Sequence, residues 1–341
     1  MKALFITILG LLVYLQAFTH PACASVRVRL GTLAPKGSSS YKHLLAMGEK
    51  WRHSPGGGAT LTIYADGTMG GEADMVRRIR IGQLQAGMLT TVGLSEIEPA
   101  VSGLQNLPVM FRSLEEVDYI GEKLQPMLEE RLEKKGFIVL FWGDAGWVRF
   151  FSKDPVIRPD DLKRTKLFVW AGDPETVNLY KAAGFNPIPL ETVDILPNLQ
   201  TGLITAVPTP PFIALATQID KPAPHMLELN WAPLVGATVV AKKVWDTLPA
   251  ASKDAIIKAA TEAGQLVKAD NRRESMEAVE AMKKRGLKVH PVTPEIEAEW
   301  RKAAEAFYPR IRGSIVPADI FDEVVRLLQQ YRASVQTTAK K

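Results

Sequence analysis

The sequence predicts a two-lobed α/β fold, and three observations predict it. Short apolar runs alternate with helical patterns along most of the chain, the rhythm of α/β units. Removing 24 residues of an export signal from the 341 leaves 317, a length that suits two lobes better than one. A proline-dense stretch, Val207 to Pro211, breaks the pattern and reads as a rigid crossover near a hinge, because proline fixes φ and removes a ladder donor.

The elements follow in order. Lys2, the apolar run Ala3 to Leu15 and the small-residue site Ala22-Cys23-Ala24 form a cleavable signal peptide, residues 1–24, with the mature start near Ser25. The apolar run is shorter than the roughly 20 residues a spanning helix needs, so the mature chain is expected not to span a membrane. A strand at Val26 to Leu33 precedes a helix at Ser40 to Arg52, whose stripe Tyr41, Leu44, Leu45, Gly48 and Trp51 faces a sheet. A strand at Ala59 to Ala65 and a helix from Glu72 to Ile81 follow. A longer helix starts at a Ser113–Glu116 capping box and stops at Gly136. Phe137 to Trp142 reads as a buried strand, and Val148 to Phe151 and Lys166 to Trp170 as further strands. Asp173 caps a helix with Pro174 in its first turn and Gly184 as its stop. From Ala250 a narrow apolar face runs to a stop at Gly286, and helices near Pro294 to Tyr308 and Pro317 to Arg332 close the chain. The expected division is 25–146 plus about 237–285 for lobe I, 147–236 plus about 286–333 for lobe II, and a disordered tail at 334–341.

Composition excludes several classes. Cys23 is the only cysteine, and the preceding His20-Pro21-Ala22 lacks the leucine-like position of a lipid-attachment site, so the mature chain has no disulfide and no cysteine nucleophile. The formal charge of +5 falls to +4 without Lys2. The basic residues share helices with acidic ones, as in Arg272-Arg273-Glu274, which argues for solvated faces and against nucleic-acid binding. No Gly-x-Ser-x-Gly elbow and no His-Glu-x-x-His motif occurs, and His43, His53, His225 and His290 lie in unrelated contexts. No catalytic residue, metal site or cofactor is expected. Gly70-Gly71 opens a helix, but Glu72 and Asp74 in its first turn would repel a phosphate. Aromatic residues at strand ends and crossovers point to a ligand cleft.

From Tyr64 to Gly87 the sequence YADGTMGGEADMVRRIRIGQLQAG strongly resembles the solute-binding subunits of tripartite ATP-independent periplasmic (TRAP) transporters. Gly31-Thr-Leu-Ala-Pro-Lys-Gly-Ser, Asn106-Leu-Pro-Val-Met-Phe-Arg-Ser and Lys243-Val-Trp-Asp-Thr-Leu-Pro agree in order, so the resemblance covers almost the whole mature chain. It implies a periplasmic-binding-protein architecture with hinge strands, a long connecting helix and C-terminal helices. It further implies a periplasmic location, a small-molecule ligand enclosed between the lobes, and delivery to TRAP-type permease subunits.

The same resemblance implies organic-acid ligands held by an arginine in a Lys-Ile-Arg-Val-like strand. A second arginine in a Gly-Phe-Arg-like strand and an asparagine after a Gly-Gln-Glu-like turn assist it. This chain departs at all three places: Phe168 stands for the first arginine, Val148 for the second with Arg149 one residue late, and Thr209 for the asparagine. Burying a carboxylate without a charge-assisted partner costs several kcal/mol, whereas apolar walls gain about 25 cal/mol per Å² covered. The expected ligand is therefore apolar or amphipathic, packed by Phe168, Trp170, Trp147, Phe212 and Trp231, with hydrogen bonds from Thr209, Thr90 or Thr91. Two alternatives stand beside it: an organic-acid receptor with Arg149 as substitute cation, and a lipid carrier that works without a permease.

Overall fold

The computed structural model describes residues 25–339; the expected signal peptide and Lys340-Lys341 lie outside them. A mixed sheet is built from β1 (Val26–Thr32), β2 (Ala59–Tyr64), β3 (Ala86–Thr90), β4 (Phe137–Ser152), β5 (Lys166–Trp170), β6 (Asn186–Leu190), β7 (Ala206–Thr209), β8 (His225–Ala241) and β9 (Lys288–His290). The strands run in the order β2-β1-β3-β8-β4-β7-β5-β6, with β9 added to β8. β1 to β3 are mutually parallel, as βαβ units with crossover helices require, whereas β8 runs antiparallel to β3 and β4. The long strands β4 and β8 pair from Phe137↔Ala241 to Ser152↔His225 and tie the two halves together. Register shifts near Val139, Asp144 and Val148 bend this pair where it crosses between halves.

Five helices matter most for the site: α1 (Ser39–Arg52), α2 (Glu72–Arg80), α3 (Leu114–Lys134), α4 (Ala250–Lys283) and α5 (Ala318–Ala339). On one side of the cleft, Val28, Leu44, Trp51 and Val240 form a core that includes Ile256 and Ala260 of α4. On the other side, Phe151, Phe168 and Ile195 pack with Ala278, Val279 and Met282 of the same helix. One 34-residue helix thus contributes to both cores. Gly264 lets it lie against β4, because a Cβ there would meet the Phe141 ring at 2.7 Å.

Several local expectations are revised. In α1 the buried stripe is Ser40, Leu44, Met47, Gly48 and Trp51, while Leu45 is 47% exposed, so the face is rotated from the expected one. The proline-dense stretch is not outside the sheet: Val207 and Pro208 belong to β7, paired with Phe151 and Phe150. Pro208 is tolerated because the ladder to β5 ends at Ala206, leaving its missing N–H without a partner to serve. Ser113 accepts from the Glu116 amide at 3.3 Å, but Glu116 does not complete a capping box. Its carboxylate accepts instead from Arg112 N at 2.8 Å and from Arg332 Nε at 2.7 Å and Nη2 at 2.8 Å. That ion pair fastens α5 to α3. Ile320, Val324 and Leu328 of α5 consequently bury with Met75 and Ile120, on the side of β1 to β3 and not with the second half, where 286–333 was expected. The helix continues through Ala339, across residues expected to be a disordered tail.

Candidate ligand cleft

A cavity of about 430 Å³ lies where the two halves face each other. Its first wall comes from the C-terminal ends of β1 and β3 and the loops after them, through Thr32, Ser38, Ser40, Glu72 and Thr90, with Asn271 from α4. Its second wall comes from β5, β7 and the short helices at Ile195–Thr201 and Pro211–Ala216, and is dominated by Phe168, Trp170, Ile195, Leu196, Phe212 and Ile213. Ligand clefts form outside the carboxyl ends of parallel strands because loop backbones and helix starts diverge there. Among the described residues, no lysine, arginine or histidine lines this space.

Of the residues singled out from sequence, Phe168, Trp170, Thr209, Phe212 and Thr90 line the cavity. Phe168 has no exposed surface and meets the Trp170 ring edge-on at 5.1 Å and 71°. The Trp170 indole donates to Thr192 Oγ1 at 3.3 Å, which fixes its ring plane. Four others lie elsewhere. Trp147 packs against the core that contains Met75 and Ile120. Trp231 packs beside Phe150 at 5.1 Å and Trp300 at 5.8 Å. Thr91 is buried just after β3 and is not among the lining residues. Arg149 points its guanidinium to Glu228 at 3.5 Å and Asn230 at 3.4 Å. Burial pulls the Arg149 pKa below its ordinary value, and Glu228 only partly offsets this.

The polar wall rests largely on residues that the sequence did not assign to the ligand site. Glu72 is 7% exposed and accepts from Thr90 N at 2.8 Å, Thr90 Oγ1 at 2.6 Å and Gly93 N at 2.8 Å. Burial raises its pKa, and those three hydrogen bonds counter the rise in part. Asp144 pairs with Arg272, at 2.9 Å to Nε and 2.6 Å to Nη2, and also accepts from the Gly146 amide at 3.0 Å. Arg272 reaches Asp118 of α3 at 2.7 and 3.0 Å, and Lys268 meets the same carboxylate at 2.6 Å. Asn271 donates to the Asp144 carbonyl at 3.1 Å and accepts from Ser40 Oγ at 2.9 Å. The one signal for this cluster was an aspartate inside the otherwise apolar run Phe137 to Trp147, since a buried carboxylate needs a partner. At the cleft mouth, Glu191 of the second half sits against Gly71 at the start of α2.

A half-open, largely apolar cleft between two α/β halves joined by crossing strands and a shared helix is the architecture of a two-lobed binding protein. The chain belongs to the bacterial extracellular solute-binding protein family 7, whose pattern matches residues 30–313, the family of TRAP transporter solute-binding subunits. It is similar to an uncharacterized protein of Haemophilus influenzae, 27% identical over 84% of this chain and 89% of that one. It is also similar to the C4-dicarboxylate-binding periplasmic protein DctP of Rhodobacter capsulatus, 23% identical over 87% of this chain and 88% of that one. Among solved structures, a TRAP periplasmic solute-binding protein from Sulfurospirillum deleyianum with bound succinate superposes with a TM-score of 0.81 at 20% identity. That match covers 89% of this chain and 99% of the other. Members of the family are solute receptors, not enzymes. Among the described residues, no helix is long and apolar enough to cross a membrane.

Proposed function

We propose that this protein is exported through residues 1–24, encloses an apolar or amphipathic solute between its lobes in the periplasm, and passes it to a TRAP-type permease. The single observation that carries the ligand class is a cavity without a lining cation, with Trp170 and Phe212 on its second wall and Phe168 packed behind Trp170. Covering apolar ligand surface is worth about 25 cal/mol per Å², and a carboxylate buried there without a charged partner loses several kcal/mol. The relatives named for C4-dicarboxylates or holding succinate would differ from this chain in that respect.

A second reading, an organic-acid receptor, draws on Arg149, whose buried Nε has no hydrogen-bond partner among the described residues. Native mass spectrometry and organic extraction of protein from its own host distinguish the two. The expected result is a co-purified apolar molecule whose retention falls at least tenfold in Phe212→Ala. Tight, saturable binding of succinate by calorimetry, abolished in Arg149→Ala, would establish the acid receptor instead.

A further inference from the structure

The cavity's polarity is segregated. The second wall is mainly apolar, its polar members being the hydroxyls of Thr192, Thr209 and Thr217, and the first carries the carboxylates and the Asn271 amide. Charged lining residues, among those described, are Glu72 and Asp144, both acidic. Arg272 and Lys268, the cations behind this wall, are already engaged by Asp118 and Asp144, two carboxylates for two cations. Glu72 has no cationic partner among the described residues; its contacts are neutral donors. Three donors on this wall are committed: the Thr90 hydroxyl to Glu72, the Ser40 hydroxyl to Asn271, and one Asn271 N–H to the Asp144 carbonyl, while the Thr32 and Ser38 hydroxyls accept from backbone amides. Charge therefore sets the wall's preference: the field is negative or, with Glu72 protonated, neutral.

We propose that the ligand is oriented by this asymmetry: an apolar body lies against Trp170 and Phe212, with Phe168 packed behind Trp170, and a head that donates hydrogen bonds and carries no negative charge, an alcohol or amine, faces Glu72 and Asn271. This rests on the reading that the cavity is the solute site, and extends it from the body of the ligand to its head. A carboxylate head would meet a buried acid and no lining cation, an arrangement that opposes binding whatever the apolar body contributes.

Three probes with one apolar body test it: 4-phenylbutanol, 4-phenylbutylamine and 4-phenylbutyrate, titrated by calorimetry at pH 7.5 into the full mature protein after ligand removal by unfolding and refolding. The alcohol or amine should bind at least tenfold more tightly than the acid, and Phe212→Ala should weaken the favoured probe at least tenfold. If the acid binds as well as or better than the others, and Phe212→Ala still weakens it, the cavity remains the site and the head-group assignment is overturned. If none of the probes binds, or Phe212→Ala leaves their binding unchanged, the reading of the cavity as an apolar solute site fails, and this proposal fails with it.

Discussion

Single residues decide what the cleft can hold and what keeps its walls in place. Glu116 is 4% exposed overall, and its carboxylate depends on Arg332 and the Arg112 amide for its hydrogen bonds. Removing the arginine leaves a nearly buried carboxylate half-satisfied. Arg332→Met should therefore destabilise the protein by about 3 kcal/mol in urea unfolding, the cost of breaking a buried pair from one side. An unchanged midpoint would mean that α5 contributes little to the fold. At this scale the sequence is readable where one position takes one residue type: Phe168 was marked by the substitution it represents, and Trp51 by its place in a helical stripe. It is poorly readable where a side chain's role depends on a partner far along the chain. Glu116 fits a local capping box, yet its partner is 216 residues away, and a charged pair outweighs a single neutral cap. Asn271 is one polar residue on a helix until Ser40 and Asp144 are brought to it.

Elements show the same contrast between local and distant information. Capped, periodic helices such as α1, α2 and α3 lie within a residue or two of where their sequences place them. β6 and β8 were not legible. β6 contains two prolines in five residues, and β8 runs through seventeen residues whose alternation is broken by the bend between lobes. The junction of α3, β4 and α4 holds the charged network behind the cleft. Burial acts to raise the Asp118 pKa, but hydrogen bonds from Arg272 and Lys268 carry it below the ordinary value. A carboxylate whose pKa is depressed in the folded state adds stability above its unfolded value near 3.8, and that contribution disappears as pH falls through the folded value. Asp118→Asn should cost about 1 kcal/mol at pH 7 after allowance for solvent screening, with wild type and variant converging as pH falls through the lowered folded value. A difference that persists in acid would assign the effect to packing and not to charge.

At the scale of the whole molecule, the lobes meet across a mouth that is acidic on both sides. Burial, followed by repulsion from Asp74 and Asp194, raises the pKa of Glu191. With the lobes together, the protonated form of this carboxylate is favoured, so closure weakens as pH rises through the raised value. Ligand affinity measured by calorimetry should therefore increase, for an uncharged probe, as pH falls through the raised value. Glu191→Gln should remove most of that increase, and an identical pH dependence in the variant would exclude Glu191 as its source.

The chain passes between the two halves in β4, in β8 and in α4, the last being continuous through both cores, and returns between Ala304 and Ile311 to reach α5. Four crossings leave the halves little freedom to slide or twist independently; bending about the line where they cross is the remaining path. Loading and unloading then share a single mechanical coordinate, and a bound solute can escape only by reversing the movement that trapped it.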